Sequence, residues 1–243
     1  MRAVNRSVFV LLALAVWLAS TGCDAKNRLK DALNACGEYE WGDFLIIGGV
    51  DYLYNQDGTQ AVADEQRGKK IGEVTYTLDA HPCSEHKTAD GVASYLPAGT
   101  PIYALIGYKT SYRVVADGRV YEAVRNPHAG TLGELYDLDG NFSKVSLESG
   151  IDGSPIGDFA PEASAVFGRE LPRLKIVGSD TIHKNNKPEY GIFLRVHLKD
   201  GTSFRMVFYE NANAFTGAGA YGTEALKAVI VGERARIKKA AGL

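Results

Sequence analysis

Cysteine, methionine and tryptophan are scarce in this 243-residue chain, with three, two and two residues, and neither sign of charge dominates. Three cysteines cannot build the multi-bridge framework of a small secreted scaffold, so the fold must rest on an apolar core. With 27 basic and 29 acidic residues there is no positive field to hold nucleic acid or anionic lipid heads. The long apolar run that a membrane-crossing helix requires, roughly 20 residues, is also missing. GxSxG, HExxH and Cys–His signatures are absent, which excludes familiar local catalytic motifs but not a site assembled from distant segments. What remains is 45% apolar and 10% aromatic, the composition of a globular domain.

The run that does exist organises the N-terminus. Arg2 and Arg6 precede the apolar stretch Val8 to Ala19, and Ser20-Thr21-Gly22 supplies small residues before Cys23. This is the pattern of a secretory signal peptide over residues 1–22. The segment Leu18-Ala19-Ser20-Thr21-Gly22-Cys23 resembles the lipobox of bacterial lipoproteins, with Ser20 where that family usually has Leu. The resemblance implies cleavage before Cys23 and a diacylglyceryl group on its thiol, whose two acyl chains would hold a protein on a membrane. The competing expectation is ordinary secretory cleavage nearby, with Cys23 a plain thiol or lost. On the lipobox reading, the protein sits lipid-anchored on the extracytoplasmic face of the cell membrane, with the membrane as its partner through Cys23.

Removing residues 1–22 leaves 25 basic against 29 acidic residues, a mature charge of −4. Cys36 and Cys83 then remain. A bond between them would close a loop of roughly 48 residues and contribute about 4 kcal/mol at most. Two unrelated thiols are the equal alternative. Residues 23–37 are polar and read as a tether, followed by a β-rich region at 38–148, a Gly-, Ser- and Pro-containing connection at 149–172, and a hairpin region with a helix at 173–243.

Strand signals dominate. Phe44–Ile47, Val50–Tyr54, Ile71–Leu78, Pro101–Gly107, Tyr112–Ala116 and Arg119–Arg125 are β-branched or aromatic runs bounded by turn residues. Asp-Gly recurs at 57–58, 90–91, 117–118, 139–140, 152–153 and 200–201, a pair suited to tight turns. Around Asp200 the register can be tested from sequence. A two-residue loop would put the apolar residues of the two strands on opposite faces. A three-residue loop, Lys199-Asp200-Gly201, puts Ile192, Leu194, Val196 and Leu198 on one face with Phe204, Met206 and Phe208, leaving Arg195, His197 and Arg205 opposite. Thr223 to Lys239 has Leu226, Val229, Ile230 and Ile237 at helical spacing after an N-capping threonine. The expected fold is mostly β (α+β): antiparallel sheet, sandwich-like or barrel-like, with a C-terminal helix.

Ile71-Gly72-Glu73-Val74, Tyr95 to Tyr103 leading into Gly107-Tyr108, and Val120 to Val124 resemble a pattern in uncharacterised surface lipoproteins of Bacillus-like Gram-positive bacteria. The resemblance spans residues 42 to 147 and implies a surface-anchored β domain, with no chemistry attached.

Four constellations could carry chemistry. Gly217-Ala218-Gly219-Ala220-Tyr221-Gly222 has the letters of a dinucleotide loop, but only 21 residues follow Gly222, too few for the strand whose end would hold the ribose. His81, Cys83 and His86 offer three metal donors without an obvious fourth, against the plainer reading of a polar loop. Asp137, Asp139, Asn141, Ser143 and Glu148 mimic a calcium loop, yet Phe142 stands where glycine is demanded. A hairpin turn between Glu134–Leu138 and Phe142–Leu147 is expected instead. The 13 tyrosines could line a ligand groove or simply populate strands. The sequence therefore points to a non-enzymatic binding, sensing or envelope-structural module with no cofactor and no catalytic residue assigned. An envelope hydrolase assembled from separated residues and a metal-binding lipoprotein are the alternatives.

Overall fold

Turn chemistry sets the first sheet. Gly48 and Gly49, both at positive φ, join β1 (Phe44–Ile47) to β2 (Val50–Tyr54), and their amides donate to the Asp90 carboxylate at 3.0 and 2.8 Å. Asp117 and Gly118, at φ 51° and 71°, close the two-residue hairpin between β7 (Arg113–Ala116) and β8 (Arg119–Arg125). With β3 (Arg67–Glu73), β4 (Tyr76–Thr77), β5 (Val92–Ala93) and β6 (Pro101–Leu105), these strands form an eight-stranded sheet in the order β3-β6-β7-β8-β2-β1-β5-β4. Among the described residues, β4–β5 is the one parallel pair. The computed structural model describes residues 41–81 and 88–243, and all but His81 of these belong to one compact unit.

The second sheet contains β9 (Phe142–Glu148), β10 (Pro155–Asp158), β11 (Ile192–Leu198), β12 (Ser203–Tyr209), β13 (Ala214–Phe215) and β14 (Ala220–Tyr221), in the order β10-β9-β11-β12-β13-β14. Its central hairpin has the expected register: Ile192 faces Phe208, Leu194 faces Met206 and Val196 faces Phe204. The Leu198 N–H donates to the Thr202 carbonyl, and Gly201 lies at φ 86°, so the loop is Lys199-Asp200-Gly201. Ile192, Leu194, Val196 and Leu198 are all buried, as period-two alternation requires.

The fold is mostly β with antiparallel sheets and a C-terminal helix, as expected. Helix α4 (Glu224–Ala241) begins where the Leu226 N–H donates to the Thr223 hydroxyl, and buries Leu226, Ile230 and Ile237. Three local expectations are corrected. Residues 134–138 are not a strand: Thr131 and Glu134 form a reciprocal capping box that starts the short helix α1 (Leu132–Leu135), which buries Leu132 and Leu135. Residues 149–172 hold β10 and the ten-residue helix α2 (Pro161–Glu170), whose Pro161 suits a helix start and whose Phe167 is fully buried. The single strand expected over 71–78 is broken into β3 and β4, with Val74 buried between them. A further helix, α3 (Ser179–Asn185), lies in a stretch without apolar periodicity.

One main core serves both sheets. Tyr136, after α1, stacks on Phe204 of β12 with centroids 4.7 Å apart and meets Tyr112 beside β7 edge-on at 6.3 Å. Phe159, Phe167, Phe208 and Phe215 continue the core under α2 and α4. A smaller cluster of Val62, Leu105, Val115 and Val120 lies apart from it. Val115 and Val120 sit on the opposite face of β7 and β8 from Val114 and Tyr121, so both faces of this hairpin are covered.

Candidate functional site

The two-residue Asp117-Gly118 turn fixes the register of β7 and β8, and that register places Arg113 directly opposite Glu122. Both point to the face that carries Val115 and Val120. Arg113 is 1% exposed, so its charge must be met by protein groups. Its Nε and Nη2 donate to one Glu122 oxygen at 2.8 and 2.6 Å, and the Tyr112 hydroxyl donates to the same oxygen at 3.2 Å. Asn55 Nδ2 donates to the other oxygen at 2.8 Å. Burial pushes the Glu122 carboxyl up from its ordinary value, and Arg113 pulls it back.

The remaining donors of Arg113 reach the second sheet. Nη1 donates to Asp200 at 3.2 Å and Nη2 to the Thr202 hydroxyl at 2.8 Å, both at the tip of the β11–β12 hairpin. Tyr108 also donates to Asp200, and its ring lies 4.3 Å from the guanidinium carbon, a cation–π contact. Burial, then the Asp200 bond, pushes the Tyr108 hydroxyl up to about 12. Burial works against the Asp200 charge, but the bonds from Thr202 and Tyr108 outweigh it and hold the carboxyl below its usual range.

Asn55 completes the seam. Its Nδ2 also donates to the Ser203 carbonyl at 2.7 Å, while its Oδ1 accepts the Gly58 N–H at 3.0 Å. Ser203 N–H returns a bond to the Gly58 carbonyl at 2.9 Å. A Cβ on residue 58 would stand 1.7 Å from the Ser203 carbonyl oxygen, so close approach is what demands glycine there. Between this loop, β6 and the hairpin tip is a cavity of about 500 Å³. Thr59, Gln60, Gln66, Tyr108 and Thr202 give it hydrogen-bonding walls, Val62, Leu105 and Val120 an apolar side, and Asp57 an exposed carboxylate. The volume is that of a small-molecule site.

A second charged cluster lies on the outward face of the second sheet. Arg195 and Arg205 stand directly opposite each other on β11 and β12, an arrangement that repels unless an anion intervenes. Glu148 intervenes, accepting Nε of Arg195 and, at 2.7 Å, Nε of Arg205. Next to it, Ser146 Oγ and His197 Nε2 are 2.8 Å apart. Burial first, and Lys144 second, lower the His197 pKa, so the neutral imidazole is favoured. That is the protonation state of a general base, but Ser146 is 3% exposed and neither residue lines the seam cavity.

The calcium-loop letters do not converge. Asp137 pairs with Lys109 at 2.7 Å, while Glu148 is held by the two arginines. The 217–222 glycine segment forms the connection between β13 and β14 and leads into α4, rather than a strand-to-helix phosphate loop. Among the described residues no group of three or more His, Cys, Asp or Glu is placed to hold a metal, and no helix is long and apolar enough to cross a membrane. Cys23, Cys36, Cys83 and His86 lie outside the described residues. Arg113, Glu122 and Asn55 were not anticipated as site residues, although the Asp-Gly hairpin register was sufficient to pair the first two. No protein-family model, curated protein or solved structure matches the chain.

Proposed function

We propose that this chain is a lipoprotein, anchored through Cys23 on the extracytoplasmic face of the cell membrane, whose β unit binds a small polar ligand at the sheet seam. The observation that carries the binding reading is the 500 Å³ cavity beside which the buried Arg113 is paired with Glu122 and Asp200. Catalysis by a nucleophile or by acid and base needs a group left available to react. In the seam Arg113, Glu122, Asp200 and Tyr108 are committed to one another and the Thr59 hydroxyl donates to the Asn55 carbonyl, leaving Gln60, the Gln66 amide nitrogen and the exposed Asp57 to meet a ligand. Such a lining, net negative through Asp57, disfavours anions and suits a molecule rich in hydroxyl or amide groups. The anchor rests on the signal-like segment 1–22 and the lipobox resemblance at Leu18–Cys23. Intact mass of the protein extracted from its native envelope tests it: a chain starting at Cys23 with a diacylglyceryl adduct supports the anchor, and an unlipidated chain starting elsewhere refutes it.

The Ser146–His197 contact favours a second reading, a serine hydrolase. Labelling by a fluorophosphonate, abolished in Ser146→Ala with the fold intact, would establish that reading; absence of labelling leaves the pair as a cross-strand hydrogen bond.

A further inference from the structure

The second sheet carries a larger cavity, apart from the seam. A groove of about 690 Å³ runs between the β9–β10 loop, the start of β11 and the last turns of α4. Ile156, Phe193 and the edges of the core residues Leu147 and Ile192 line it. Ile151 and Tyr190, each 99% exposed, stand at its edge. One exposed apolar residue is ordinary; two bordering one apolar-lined groove are of the kind that marks a binding surface. The loop presenting Ile151 is well bonded: Ser149 N–H donates to the Ser154 carbonyl at 2.8 Å, and Asp152 accepts the Ser154 hydroxyl at 2.8 Å. Bonds from Ser149 and Ser154 hold the Asp152 carboxyl down at about 2.

The α4 wall adds charge. Arg234 and Lys238, one helical turn apart, both line the groove. Arg234 has Glu210 only at 3.7 Å, and the Lys238 ammonium has no ion pair among the described residues. Glu148 also borders the groove, but its carboxylate is 2% exposed and already shared by Arg195 and Arg205. An apolar trough with two cations on one wall is complementary to a molecule having an apolar chain and an anionic head.

We propose that this groove binds a single-chain anionic amphiphile, its chain over Phe193 and Ile156 and its head on Arg234 and Lys238. A volume of this size lies within the range of small-molecule pockets. A free fatty acid and an anionic lysolipid share this chemistry. The groove makes no use of the seam, so the proposal stands independently of the ligand that the seam takes.

Calorimetric titration of the full chain with laurate and decanoate, each below its micellar concentration, tests it. Saturable one-to-one binding is expected, weakening about fourfold per methylene removed. Arg234→Ala with Lys238→Ala should weaken laurate at least tenfold while leaving dodecanol binding unchanged, which separates the head contact from the chain contact. Ile151→Ser with Tyr190→Ser, uncharged changes at positions too exposed to disturb the fold, should weaken laurate and dodecanol alike. Competition by lauroyl-lysophosphatidylglycerol stronger than by laurate would assign the source as a lysolipid, and the reverse order a fatty acid. Laurate binding indifferent to both sets of variants, or no saturable binding, overturns the proposal. So does a dimer in sedimentation that Ile151→Asp dissociates, or binding to anionic vesicles without binding to monomeric laurate. Those two results would give the groove to a second copy or to a membrane surface.

Discussion

The two charged clusters are mirror images. At the seam one arginine, Arg113, lies between two carboxylates, Glu122 and Asp200; on the outward face of the second sheet one carboxylate, Glu148, lies between Arg195 and Arg205. The central group is buried in both, and each has one enclosed flank, Glu122 or Arg195, and one open flank, Asp200 or Arg205, whose side chains are 36% and 40% exposed. The clusters differ in what they join: the seam cluster ties elements of both sheets, and the outward cluster ties the three strands β9, β11 and β12 of one sheet. Burial of the group removed or stranded, more than the number of ion pairs, decides what each substitution costs.

Breaking the seam should produce the largest effect. Arg113→Met strands Glu122 without its guanidinium and is expected to cost about 3–5 kcal/mol in denaturant unfolding. The pairwise replacement Arg113→Met with Glu122→Leu should recover most of that loss, because the buried carboxylate goes with its partner. Glu148→Gln comes next. It leaves two guanidiniums face to face, but Arg205 can turn to water, so about 2 kcal/mol is expected. Arg205→Ala should cost less than about 1 kcal/mol, the usual worth of a partly exposed ion pair. If Arg205→Ala proved as damaging as Arg113→Met, the contrast drawn from burial would fail.

The smallest effect is a pH dependence near the outward cluster. The His197 pKa is lowered in the folded chain, so between the ordinary value of 6.5 and its folded value the unfolded chain binds more protons. Stability is expected to fall as pH drops below about 6.5 through that window, and His197→Gln should flatten the slope there. An unchanged slope in the variant would assign the acid sensitivity to other groups.

Legibility followed sequence separation. The 199–201 loop and the register of β11 with β12 could be read because a single turn and a period-two pattern determine them. The same holds for α4, whose N-cap and apolar stripe are local. The capping box at Thr131 and Glu134 was present in the sequence, yet the Asp139-Gly140 pair suggested a hairpin and the strand expectation prevailed. Arg113 and Glu122 were readable in principle, being nine positions apart across a two-residue turn. Asn55 was not: its bond to the Ser203 carbonyl crosses 148 residues and exists only once the two sheets dock. The apolar groove was hidden for the same reason, since residues from β9, β11 and α4 meet there through tertiary packing.

The central functional claim is that the seam binds a polar ligand, and the most direct test is an amide-resolved NMR titration of the full chain with neutral saccharides, polyols and short peptides. Saturable shift changes are expected at Thr59, Gln60, Gln66 and Thr202, with the ligand recovered unaltered. Chemical turnover of the ligand, or shift changes confined to surfaces away from the seam, would contradict it.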